Sequence, residues 1–94
     1  METIKIDDIM DRTVKLYKES TDPEERVWFE EAINKLDLSI DNPDQREDTV
    51  RDYVGTDPYS WIVLPNFAEL EERGDEYIYV EYADGMVVDA PLCY

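Results

Sequence analysis

The stretch Tyr77–Ala90, YIYVEYADGMVVDA, decides how the second half of this chain folds. β-Branched and aromatic residues fill both ends, and Ala83-Asp84-Gly85 lies between them, so the segment reads as a β-hairpin. Two registers compete. A two-residue Asp84-Gly85 loop pairs Tyr82 with Val87 and Val80 with Asp89, setting an acid on the apolar face. A three-residue Ala83-Asp84-Gly85 loop, with Gly85 left-handed and a G1 bulge, pairs Tyr82 with Met86 and Val80 with Val88. Ile78, Val80, Tyr82, Met86, Val88, Ala90 and Leu92 then share one face, and Tyr79, Glu81, Val87 and Asp89 the other. A slip of one residue exchanges the faces, so the longer loop is preferred.

Upstream, the apolar spacing changes from two to nearly four. Ile4 and Ile6 alternate with polar residues and suit a short strand or an extended lead-in. From Asp7 to about Glu19, Ile6, Ile9, Met10, Val14 and Tyr17 make one helical stripe. The next helix has a clear start: Asp22 as N-cap, Pro23 in the first position and Glu25 in the third. Phe29, Ala32, Ile33 and Leu36 form its inner face, and Leu38 and Ile40 are expected to leave it as extended chain. A third helix is predicted from Asn42 as cap and Pro43 as first residue to a stop near Gly55. With only Val50, Tyr53 and Val54 as apolar content, it is expected to be the least buried. Ser60–Leu64 reads as a buried strand closed by Pro65. Asn66 and Glu69 suggest a cap on a short helix ending at Gly74. The fold class is therefore α+β: about three N-terminal helices packed on a small antiparallel sheet with a C-terminal β-hairpin. One domain spans 1–94, with no repeats or linker.

Charge is the strongest functional signal. The chain has 25 acids, 9 bases and no histidine, a formal net charge of -16 over 94 residues. At 43% apolar residues it is too hydrophobic for a disordered acidic tail. The charge is uneven: 5 acids face 4 bases in residues 1–20, but 8 face a single base in residues 58–94. A coat serving solubility alone does not predict that asymmetry. Asp44, Asp48 and Asp52 recur at i,i+4 in the predicted third helix, with Glu47 set to pair with Arg51 and with Asp41 and Asp57 near its ends. Side chains in such a row lie about 5–6 Å apart, a spacing comparable to that of successive phosphates on a nucleic-acid strand. A second acidic group is Glu69, Glu71, Glu72, Asp75 and Glu76. Tyr77 and Tyr79 lie beside it and suit anchoring against arginines. Trp28, Phe29, Trp61 and Tyr82 read as core.

Several chemistries are disfavoured. Without histidine there is no usual general base and no Ser-His or Cys-His pair, so an enzyme is not expected. Cys and His are too few for a zinc site, and the order of acids around Asp41–Asp48 does not match a calcium loop. No metal or other cofactor is implied. The lone Cys93 fits a reducing cytoplasm, and no signal peptide or membrane span is read. Direct nucleic-acid binding is disfavoured because phosphate contacts require positive partners. The expected partner is a basic nucleic-acid-binding protein or a nuclease or effector complex, bound by a monomer or small homo-oligomer.

This profile of small size, acidity, one domain and no cofactor resembles phage and mobile-element proteins that disable host nucleases, including DNA-mimic anti-restriction and anti-CRISPR proteins. The resemblance implies an inhibitor that occupies a nucleic-acid-binding groove. Two alternatives stay open: an immunity protein neutralising a cognate nuclease toxin, and a non-mimic acidic adaptor domain.

Overall fold

The structure is a computed structural model that describes residues 2–55 and 58–92. Asp57, expected near the end of the third helix, and Cys93 lie outside the described residues. The elements run β1 (Ile4–Lys5), α1 (Ile6–Glu19), α2 (Pro23–Asp41), a 3₁₀ turn (Pro43–Gln45), α3 (Arg46–Tyr53), α4 (Pro58–Ile62), α5 (Phe67–Arg73), β2 (Tyr77–Glu81) and β3 (Val87–Pro91). The class is α+β, with five helices among the described residues against a three-stranded mixed sheet.

The hairpin has the longer-loop register. Val80 pairs with Val88 and Ile78 with Ala90. Tyr82 N–H donates to the Met86 carbonyl at 2.8 Å, and Gly85 has φ +92°, the left-handed region that a side chain would strain. Ile78, Val80, Tyr82, Val88, Ala90 and Leu92 are buried against the helices; Tyr77, Val87 and Asp89 lie exposed on the opposite face. Met86, expected on the buried face, is 40% exposed at the turn.

The sheet is mixed where an antiparallel one was expected. β1 runs parallel to β2, with Ile4 beside Val80 and Lys5 beside Glu81. Ile6 then begins α1 immediately. Thr13 replaces Val14 on its buried face and satisfies its hydroxyl by donating to the Ile9 carbonyl at 2.7 Å. α2 starts as predicted, the Asp22 carboxylate accepting from Glu24 N–H at 2.9 Å. It does not yield to extended chain at Leu38: the helix continues to Asp41, because buried Ser39 extends the Phe29, Ala32, Leu36 stripe by three residues.

The predicted third helix divides into the 3₁₀ turn and α3. Asn42 does not cap it; its side-chain amide donates back to the Leu38 carbonyl at 2.7 Å. Nor is α3 a loosely held element. Arg46, Thr49, Val50 and the following Val54 are all buried, the helix lying against α2 and β3.

The largest correction is at Ser60–Leu64, which is not a strand. Pro58 opens the short helix α4, and Ser60, Val63 and Leu64 are buried while Ile62 is exposed. The turn places Tyr59 against Trp28 and Phe29, with ring centroids at 5.6 and 6.3 Å. It also places Trp61 parallel to Phe67 at 5.5 Å, with its indole N–H donating to the Gly55 carbonyl at 3.0 Å. A run of apolar residues this short fits either state, and these aromatic contacts select the helix. Downstream, α5 ends at Gly74 with φ +71°, but Asn66 makes no side-chain cap.

Candidate interaction surfaces

Two arginines act as caps for helices other than their own. The last turn of α2 contains no basic residue. Arg46, from the start of α3, supplies one: its Nε donates to the Ser39 carbonyl at 2.9 Å and its Nη2 to the Ile40 carbonyl at 2.6 Å. Its Nη1 bonds both carboxylate oxygens of Asp84, at 3.0 and 2.9 Å. Asp84 also accepts from Met86 N–H, and that bond, followed by the Arg46 contact, holds its carboxyl below the usual range. Arg26 treats the end of α1 the same way, bonding the Tyr17 and Ser20 carbonyls at 2.8 and 3.0 Å and lying over the Tyr17 ring. Arg12 donates to the Ile62 carbonyl.

The i,i+4 pairing expected for Glu47 with Arg51 is present at 2.7 Å. The other described ion pairs are Lys5–Glu81, Arg46–Asp84, and Arg73 with Glu2 and Asp75. Arg12 and Arg26 bind carbonyls and form no ion pair among the described residues, while Arg46 divides its donors between carbonyls and Asp84. Asp41 ends α2, Asp44 sits in the 3₁₀ turn and Asp48 lies on α3, all exposed and with no ion pair among the described residues. Asp52 is exposed on the same helix. The expected unbroken row is therefore shorter: only Asp48 and Asp52 share α3, because the 3₁₀ turn changes the winding before Arg46. These acids face outward because Arg46, Thr49 and Val50 face inward.

The second acidic group is divided differently. Glu69, Glu71 and Glu72 lie exposed on α5. Asp75, Glu76, Tyr77 and Tyr79 line a groove of about 550 Å³, joined by Glu2, Ile4, Asn66, Leu70, Arg73 and Ile78. Arg73 stands within it, bridging the Glu2 carboxylate at 3.1 Å and Asp75 at 2.8 Å. These carboxylates, the Asp75 bond above all, raise its already high pKa. Asn66 Oδ1 is out of reach of water without a hydrogen-bond partner among the described residues. Tyr77 is half exposed at 51%.

Glu2 and Arg46 were not singled out from sequence, and Asp84 only as a residue of the hairpin turn. Glu2 joins the groove through the parallel pairing of β1, and nothing local announces that. A signal for Arg46 did exist: a base just beyond an α2 last turn that has none of its own. Among the described residues no group of three or more potential ligands is placed to hold a metal ion, and no helix is long and apolar enough to cross a membrane. No protein-family model, curated protein or solved structure matches the chain.

Proposed function

We infer that this protein is a small acidic inhibitor, acting in the cytoplasm without a cofactor, whose carboxylates stand in for phosphates on the basic nucleic-acid-binding surface of another protein. The target class is a nuclease or a nucleic-acid-guided effector complex of a host cell. The observation supporting this reading is the direction in which the cations are used. Arg26 and Arg12 bind backbone carbonyls, and Arg46 binds two carbonyls and a single carboxylate, that of Asp84, while Asp41, Asp44, Asp48, Glu69, Glu71 and Glu72 stay exposed without ion pairs among the described residues. Uncompensated like charge opposes folding and favours rapid association with a basic partner. Exposed carboxylates can form charge-assisted hydrogen bonds with lysine and arginine.

The test is affinity capture from a host lysate at low and moderate salt, followed by competition with duplex DNA or RNA. The reading requires a nuclease or effector that nucleic acid displaces. Joint replacement of Asp44, Asp48 and Asp52 by Asn should weaken that binding at least tenfold with the fold retained. Unchanged affinity would remove α3 from the contact, and the absence of any basic partner would overturn the reading.

A further inference from the structure

The groove beside Arg73 borders an incomplete sheet edge. β1 has two residues and covers only Val80 and Glu81 of the five-residue β2. Tyr77, Ile78 and Tyr79 continue past it along the groove. The hairpin register determines which backbone groups face that way. Tyr82 N–H donates to Met86 and Leu92 N–H donates to Glu76, so residues 76, 78, 80 and 82 turn their polar groups toward β3. Tyr77 and Tyr79 therefore turn theirs toward the groove. A parallel ladder centred on Ile4 and Val80 uses the Tyr79 carbonyl and Glu81 N–H. Both backbone groups of Tyr77, and Tyr79 N–H, lie beyond its end. The uncovered run spans about 10 Å.

We propose that this edge binds an extended cationic segment of a partner protein, added as a further strand in front of β1. Two independent features select that occupant. The unpaired ladder positions call for extended backbone. The rim carries Glu2, Asp75 and Glu76 against one cation, Arg73, which Glu2 and Asp75 already hold. Successive side chains of an added strand point to opposite faces. One set meets the apolar floor of Ile4, Leu70 and Ile78, and the other runs beside Tyr77 and Tyr79 on the open face. The segment that fits alternates apolar with basic residues. A second copy of this chain does not fit, since each copy brings a net charge of -16. None of the α3 acids lines the groove, so the site does not depend on their imitating phosphates.

The probe is a blocked octapeptide alternating lysine and valine, titrated into the full chain by calorimetry and followed by amide hydrogen exchange. Binding should slow exchange at Tyr77 and Tyr79. N-methylation of alternate peptide amides should weaken binding about tenfold or more, as lost ladder bonds require. Glu76→Lys, at an exposed side chain, should weaken it severalfold, while the joint Asp44, Asp48 and Asp52 to Asn variant should bind the peptide as the parent does. Absence of binding, equal binding of the methylated peptide, or protection confined to other residues would overturn the proposal. So would a concentration-dependent dimer that protects the Tyr77 and Tyr79 amides without peptide.

Discussion

The guanidinium of Arg46 lies over the ring of Tyr82, 4.1 Å from its centroid, with both side chains withdrawn from solvent. The tyrosine hydroxyl continues the network to Ser39 Oγ at 2.8 Å, and Ser39 Oγ donates to the Leu36 carbonyl at 2.6 Å. One buried cation thus joins the end of α2, the start of α3 and the hairpin turn.

Removing that cation strands buried carbonyls. Arg46→Ala should destabilise the fold by about 3–5 kcal/mol, since hydrogen bonds from a charged donor contribute about 1.5–3 kcal/mol each. Asp84→Asn should cost less, because the Asp84 side chain is 54% exposed. Urea unfolding of the two variants checks the order, and equal midpoints would refute it.

The same pair makes the fold acid-sensitive. The folded Asp84 pKa is depressed, so its stabilisation is present above the unfolded pKa and lost as pH falls through the folded value. Glu81, bound by Lys5 and Thr3, acts in the same direction. The thermal midpoint should therefore fall below about pH 4, and Asp84→Asn should flatten that fall. A parallel decline in parent and variant would exclude Asp84 as a contributor.

At the alkaline end Tyr53 and Tyr82 both contribute, burial raising the pKa of Tyr82 as well; Tyr53 is the group whose partner can be changed on its own. Burial first, and then its 2.6 Å bond to Glu31, push its pKa up to about 12. A folded pKa above the unfolded one gives stability that is full below about pH 10 and lost as pH rises through the folded value. Ultraviolet titration of the phenolates should find Tyr53 and the buried Tyr82 ionising late, and Glu31→Gln should bring Tyr53 alone closer to the others.

Gly55 and Gly85 both have positive φ, at +91° and +92°. A Cβ on Gly85 meets open space, whereas one on Gly55 would stand 3.0 Å from Leu92 Cδ2 and 3.4 Å from the Pro91 carbonyl. Gly85→Ala should cost about 1–2 kcal/mol for the left-handed backbone alone. Gly55→Ala should cost more because the buried Leu92 side chain must also give way by a few tenths of an ångström, and thermal unfolding of the two variants gives the comparison.

Self-repulsion gives a prediction for salt. Screening should raise the thermal midpoint between low and about 0.5 M ionic strength, with Asp48→Asn raising it at low salt only. A midpoint that falls with salt would mean that ion pairs outweigh the repulsion.

Local pattern was enough for some features and not for others. Asp22-Pro23 announced α2, and alternation on either side of Ala83-Asp84-Gly85 announced the hairpin register, since a single slip would bury Asp89. Ser60–Leu64 misled because its apolar run carries no period, and the contacts that select helix there come from Trp28, Phe29 and Phe67. Of the expected interaction residues, Asp75, Glu76, Tyr77 and Tyr79 converge on one groove, while Glu69, Glu71 and Glu72 stay on α5 outside it.

By itself the sequence determined the excess of negative charge, the start of α2 and the face of the hairpin that is buried, because each depends on residues only a few positions apart. Tertiary structure alone decided that Lys5 meets Glu81 across 76 residues and that β1 is parallel and stops short. Those outcomes depend on which distant surfaces share the core, and no local spacing encodes that choice.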